Sequence, residues 1–538
     1  MSSACTELLK ESGRTRSFAF RAYLPYLLLT VAAGSFLYPF VRVLTWTPDG
    51  GVFIYGAERV LDGDVPSHDF IELQGPGSFY WLALFFKIFG ATTLTARAVL
   101  FATGIATVLL VFYLARRLSP GITTGVFAAL FVLVTGLPLM VVNSPHYDSN
   151  LFALAAVAVF VSVERRIACG GASERSIFVL LFAAGLLAGI TSCCLQQKGL
   201  NLVLAFVVCL GILHRRPGLR LAAILCSGYA CVVAVELSLY AAAGALHDLI
   251  YVNLLWPLST YQSVNAAPYG FPLWEIWFPN WFQVLRADFV FPVAIILTAA
   301  LSLPFLLILT LPLLLALLAY FSRARFSWRA WLPYVLSGYA LWAAEIHRLD
   351  MGHLRNGSVI LIVLFFALCE IQSAKAWRRV AATVAACILL NGAADLFGAM
   401  VQHTPIHSRR GTLFGNKPDA ALDFLLTHTA PGEPVFVYPY QPIYYFLAGV
   451  RNPTRFSSLM YHINTDAQFQ EAVRDLERKK VRYVLWDTGF SAEKLASVFP
   501  AYRHPASNQL IMEPYFETHY RQIAVENGFR VLERIPDR

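Results

Sequence analysis

Long uncharged apolar runs recur along this chain, and they limit its possible folds more than any other feature. One of them, residues 289–321, holds no charged side chain for over 30 positions. A helix of about 20 apolar residues crosses a hydrocarbon core, where every backbone N–H and C=O must pair within the segment. Repeated runs of that length read as membrane helices. Composition agrees: 57% of the residues are hydrophobic and 14% charged, against about 25% charged in soluble domains. A soluble fold has nowhere to bury so much apolar surface.

Spans are expected near residues 22–43, 94–114, 122–141, 149–163, 177–195, 199–213, 221–243, 289–321, 331–346, 357–373 and 380–400, about eleven in all. The fold class is a polytopic α-helical membrane protein. Pro304 could divide 289–321 into two passes. A single kinked or tilted span is preferred, because Arg323, Arg325 and Arg329 then fall inside. The first run has no small-residue cleavage site and reads as a retained helix.

Charge sets the direction. Arg14, Arg16 and Arg21 precede the first span and place the N-terminus in the cytoplasm. Arg116/Arg117, Arg165/Arg166, Arg215/Arg216/Arg220, Arg323/Arg325/Arg329 and Lys375/Arg378/Arg379 share that side only if the span count is odd. The C-terminus then lies outside. The net charge of +9 is thus a matter of topology, and no nucleic-acid partner is expected. The expected setting is the inner (plasma) membrane.

Two regions follow. Residues 1–401 form a transmembrane module with long outer loops at 44–79 and 244–288, the second studded with Trp256, Trp274, Trp277 and Trp281 as interface anchors. Residues 402–538 read as a small extracytoplasmic α/β domain, with strands at 435–439 and 482–486 and helices at 416–429 and 466–479. The nine cysteines lack metal-ligand spacing and read as small core residues.

Ionisable residues beside a bilayer are costly, so their clustering carries information. The outer loops gather Asp49, Glu72, Gln74, His146, Asp148, Lys198, Arg348 and His353. A carboxylate there could deprotonate an acceptor, and cations could stabilise a departing phosphate. Each residue also has a plain reading. Asp49 or Asp148 could cap a helix, Lys198 could snorkel to headgroups, and Glu72, His146 and His353 could be loop residues. The tyrosines at 438, 440, 444 and 445 read as core.

A denser pattern runs from Asp49 to Arg117. An acidic residue follows the first span. Then come Tyr55-Gly56-Ala57-Glu58-Arg59-Val60-Leu61-Asp62-Gly63-Asp64-Val65-Pro66-Ser67-His68-Asp69-Phe70, Glu72, Gln74, Pro76, Phe89-Gly90, Arg97 and Ala115-Arg116-Arg117. This stretch resembles the polyprenyl-phosphate-dependent glycosyltransferases of the GT-C fold, in the branch of protein O-mannosyltransferases and lipid A aminoarabinose transferases (glycosyltransferase family 39-like). The resemblance implies transfer of a sugar from a polyprenyl-phosphate donor to a glycan, lipid or protein acceptor at the outer face. It implies Asp49, Glu72 and Asp148 as catalytic residues. Lys198, Arg348, His353, Gln74 and His146 would then bind substrate, and Asp49 with Asp148 would hold a divalent metal ion. One departure stands out: many members carry two adjacent acidic residues at the first position, whereas Asp49 is followed by Gly50-Gly51.

Two other classes remain open at this stage. A transporter or flippase of a lipid-linked saccharide would show paired broken helices and two similar halves, which the sequence lacks. A non-catalytic assembly partner would leave the outer carboxylates unexplained. The topology itself is testable. Alkaline phosphatase fused after Arg538 is expected to be active outside the membrane, and fused at Arg216 to be silent. Activity at both points would break the odd count.

Overall fold

The computed structural model describes residues 16–44, 48–119, 121–139, 141–170, 173–322, 327–372 and 375–536. Cys5, Arg14, Arg323 and Arg325 lie outside the described residues.

Each apolar run predicted above contains an α-helix among the described residues. In chain order the helices of the first half are α1 (Arg16–Leu37), α2 (Pro48–Leu61), α3 (Gly77–Phe89), α4 (Thr93–Leu118), α5 (Ile122–Thr135), α6 (Pro145–Cys169), α7 (Glu174–Cys194), α8 (Gln196–His214) and α9 (Arg216–Ala242). After a stretch of short helical turns come α10 (Phe278–Asp288), α11 (Phe291–Ser322), α12 (Trp328–Ala344), α13 (Met351–Gly357), α14 (Val359–Ile371) and α15 (Lys375–Met400). Seven helices among the described residues are long and apolar enough to cross a membrane, and an eighth is added if α13 and α14, bent by 64°, are one span. The 289–321 run is one continuous helix, α11, with Pro304 and Pro312 inside it.

Without water to drive apolar association, membrane helices pack through close backbone contact at small residues. The α7–α9 pair shows this. A Cβ on Gly185 would sit 2.0 Å from the Leu225 carbonyl oxygen, and one on Gly228 would sit 2.2 Å from that of Phe182. A large apolar core, including Phe131, Phe160, Phe206, Phe305 and Phe365, fills the bundle.

Beyond α15 the chain forms a hairpin of β1 (Thr404–Ser408) and β2 (Gly411–Gly415), then α16 (Ala420–His428), β3 (Val435–Tyr438), α17 (Ile443–Ala448), α18 (Asp466–Arg478) and β4 (Tyr483–Asp487). Two short helices, α19 (Ala492–Val498) and α20 (Met512–His519), precede β5 (Tyr520–Glu526) and β6 (Phe529–Arg534). The four-stranded sheet has the order β3-β4-β6-β5; β3 and β4 are parallel and the other pairs antiparallel. β3 and β4 were legible as apolar runs, whereas the two hairpins were not. Asp419 caps α16, and a Thr465–Gln468 capping box starts α18.

This α/β region shares its core with the first loop. Leu44, Ile54, Tyr55, Leu82 and Phe86 pack with Leu425, Val437, Tyr445 and Phe446. The Tyr55 hydroxyl accepts the Asn452 backbone N–H at 2.9 Å, and Arg410 pairs with Glu58. Trp256 departs from its expected role as an interface anchor. It is buried against this region and donates its indole N–H to the Ile463 carbonyl at 3.1 Å. Trp277 and Trp281 pack on Phe305 instead, and Trp274 is exposed.

Gly51, two positions after Asp49, packs backbone to backbone against α17. A Cβ there would lie 2.1 Å from the Ile443 backbone nitrogen at the start of α17, so no side chain fits. Gly51→Ala is expected to destabilise the protein by about 1–3 kcal/mol, seen as a lower Tm in detergent. Gly34→Ala, with nothing within 4 Å, serves as the control. Equal Tm values for the two variants would refute the close packing.

Candidate functional site

The candidate residues fall into two neighbouring groups. The first is built on α2 and the loop after it. Asp49 lies in the first turn of α2, exposed, and its Oδ1 accepts the Tyr440 hydroxyl at 2.8 Å. Tyr440 follows β3, so the C-terminal region reaches over this carboxylate. Tyr438, Tyr444 and Tyr445 behave as core: their hydroxyls bond Glu513, Asp419 and the Val437 N–H. Tyr440 alone of the four turns to the candidate base.

Glu72 sits close to Asp49 in a different environment. Its Oε1 is buried without a hydrogen-bond partner, as is the Gln74 Oε1. Burial raises the Glu72 carboxyl to about 8; the Ser457 hydroxyl opposes the rise and the Asp49 charge adds to it. Burial thus biases Glu72 toward its protonated form, in contrast to the exposed Asp49. Two carboxyls with divergent environments are the usual arrangement for separate acid and base roles.

The second group joins α6, α8, α12 and α13. The Lys198 ammonium lies 2.6 Å from Glu345 Oε1, with both side chains fully buried, and donates to Asn150 Oδ1 at 2.9 Å. Lys198 points inward and does not snorkel. His146 Nδ1 is 3.1 Å from the same Glu345 oxygen. His353 Nδ1 is 2.7 Å from Asp350 Oδ1, and the His146 and His353 rings meet edge to face at 4.8 Å. Arg348 pairs with Asp350, donates to Asn265 Oδ1 at 2.5 Å and to the Val498 carbonyl at 2.6 Å, and lies over Phe499. It fastens this loop to the C-terminal region. Arg355, also buried, donates to the Tyr147 hydroxyl at 3.2 Å beside a cavity of about 40 Å³.

Asp148 shares the first turn of α6 with His146 but faces the other way, toward Ser78 and Cys194. Ser144, not Asp148, caps that helix. Among the described residues, the one group of three ligand atoms close enough to share an ion is His146, Glu345 and His353. Neither Asp49 nor Asp148 belongs to it, so no reaction step is drawn through a metal on those two carboxylates.

Glu345, Asp350 and the role of Tyr440 escaped the sequence reading. Glu345 had a usable signal: it is a lone carboxylate closing the apolar run Leu341-Trp342-Ala343-Ala344, and an ionisable residue in such a place is functional by default. Tyr440 had none, since its partner lies 391 positions away.

The Glu72 environment gives a stability prediction. Its folded pKa of about 8 stands above an unfolded value of about 4.3. The folded state then binds the extra proton between those values, and stability falls as pH rises through that window. Glu72→Gln is expected to flatten this part of the Tm profile and to be the more stable form at pH 9. Superimposable profiles from pH 5 to 9 would show that Glu72 is not held protonated.

No protein-family model matches the chain, and no curated relative matches it. Solved structures do. ArnT from Cupriavidus metallidurans bound to undecaprenyl phosphate aligns with a TM-score of 0.51 at 12% identity, over 96% of this chain and 99% of its own. The Archaeoglobus fulgidus oligosaccharyltransferase in its apo form aligns at 0.50 and 14% identity, over 89% of this chain and 71% of its own. The same enzyme tethered by a disulfide to an acceptor peptide containing the NVT sequon gives 0.50 and 13%, over 94% and 73%. At these identities the likeness is one of fold. The chain has the GT-C fold.

Proposed function

We propose that the protein is an integral membrane glycosyltransferase that moves a sugar from a polyprenyl-phosphate donor to an acceptor at the outer face. The fold it shares with ArnT and the oligosaccharyltransferase supports the class. The observation that carries the reading is Asp49: an exposed carboxylate at the start of α2, oriented by Tyr440 and set beside Glu72, one oxygen of which is sealed from solvent.

In this reading the acceptor hydroxyl or amine gives its proton to Asp49. The acceptor atom bonds to the anomeric carbon as the bond from that carbon to the phosphate oxygen breaks. The electron pair leaves with the polyprenyl phosphate. Lys198, with Arg348 in the same polar chain, supplies positive charge to that phosphate. Asp148, Glu72, Gln74, His146 and His353 orient the two substrates. The free energy comes from the activated sugar–phosphate bond, since the chain has no Walker-type glycine loop.

The test is sugar transfer from a polyprenyl-phosphate donor in proteoliposomes. Asp49→Asn is expected to lower kcat by about 10²–10⁴-fold, the range for loss of a general base. Tyr440→Phe is expected to lower it less, because it removes one orienting bond and keeps the carboxylate. Full activity in the Asp49→Asn protein would sink the proposed base. Lipid scrambling without transfer by the wild-type protein would replace the enzyme reading with a flippase.

A further inference from the structure

We infer that His146, Glu345 and His353 form a binding site for a divalent transition-metal ion of the zinc class. Three elements bring the donors together: the first turn of α6, the C-terminal end of α12, and α13. Their ligand atoms all lie within 4.8 Å of one another. A tetrahedral ion with bonds of about 2.0–2.2 Å holds its ligands roughly 3.4 Å apart. The widest separation therefore closes by roughly 1.4 Å on loading.

His353 is already oriented as a ligand. Its Nδ1 is engaged by Asp350 at 2.7 Å, which leaves Nε2 as the lone-pair nitrogen, and a ligating histidine characteristically donates its other nitrogen to a carboxylate in this way. His146 Nδ1 faces Glu345 Oε1 itself at 3.1 Å, so the ion takes the place of the proton between those two atoms. Glu345 divides its oxygens similarly. Oε1 takes both Lys198 and His146, while Oε2 is buried with no partner. An orphaned carboxylate oxygen in a fully buried side chain is costly, and a cation relieves that cost. Two imidazoles with one carboxylate select a transition metal over magnesium or calcium, which prefer all-oxygen sets.

Three protein ligands leave a fourth position open. Lys198 pairs with Glu345 and Arg348 with Asp350, so the ion adds uncompensated positive charge. An anionic oxygen suits the fourth position, and a phosphoryl group is the fitting class. That last step rests on the lipid-phosphate reading above; the ion itself does not.

The experiment uses the full chain purified in detergent, stripped with a chelator and titrated with Zn²⁺, Co²⁺ or Mg²⁺. Zn²⁺ is expected to remain at about one ion per chain after desalting and to raise Tm through linkage, with Mg²⁺ inert. Bound Co²⁺ is expected to give the intense visible bands of a four-coordinate site. His146→Ala and His353→Ala are expected to lose the ion, and His347→Ala, which changes a neighbouring ring, to keep it. Wild-type protein that neither retains Zn²⁺ nor shows a Co²⁺ spectrum overturns the site. So does unchanged retention in His146→Ala and His353→Ala. The Co²⁺ spectrum is read on the wild type and does not depend on either variant folding. Undecaprenyl phosphate added to the Co²⁺ form is expected to shift the bands. An unshifted spectrum leaves the ion in place and overturns its link to the lipid phosphate.

Discussion

Lys198 and Glu345 meet in a fully buried pair, and the arrangement of the surrounding helices follows from it. Neither charge can be left alone in such a place, because removing one partner of a buried pair typically costs about 3–5 kcal/mol. The pair therefore fixes the start of α8 against the end of α12, with Asn150 and His146 of α6 drawn to it. The contacts continue outward. His146 meets His353, His353 meets Asp350, Asp350 meets Arg348, and Arg348 reaches the Val498 carbonyl. One polar chain runs from the helix bundle to the C-terminal region.

The helices were legible in the sequence because the membrane imposes a blunt rule on them. An apolar run of sufficient length has one conformation available when its backbone cannot bond water. The helical run of α11, unbroken at Pro304, followed from charge placement alone. The core strands β3 and β4 were legible as short apolar runs. The hairpins β1–β2 and β5–β6 were not: in β5, the edge strand, Arg521, Gln522 and Glu526 interrupt any alternation. Candidate residues were legible as types on particular loops, and their pairing was not. His146 and Asp148 are two positions apart yet face different partners, because neighbouring residues on a helix point about 100° apart. Arg348 and Lys198 looked like free cations and prove to be engaged. A sequence shows that a charge is present near the bilayer; only packing shows which opposite charge has claimed it.

Asp49 and Glu72 illustrate how one loop makes two different acids. Asp49 stands at a helix start with solvent around it and a tyrosine hydroxyl bonded to it. Glu72 has an oxygen sealed from solvent without a partner. The difference is chiefly one of burial, which raises the Glu72 carboxyl against the opposing Ser457 hydroxyl. The transmembrane module carries the two carboxyls, and the region after α15 contacts both, through Tyr440 and Ser457.

The contact of Gly51 with Ile443 joins the two regions through backbone alone. No side chain can stand at position 51 unless α17 retreats. The first turn of α2, which carries Asp49, and the start of α17 therefore share one fixed spacing. A displacement of either is passed to the other without any side chain to absorb it, so the carboxylate keeps step with the region that follows α15.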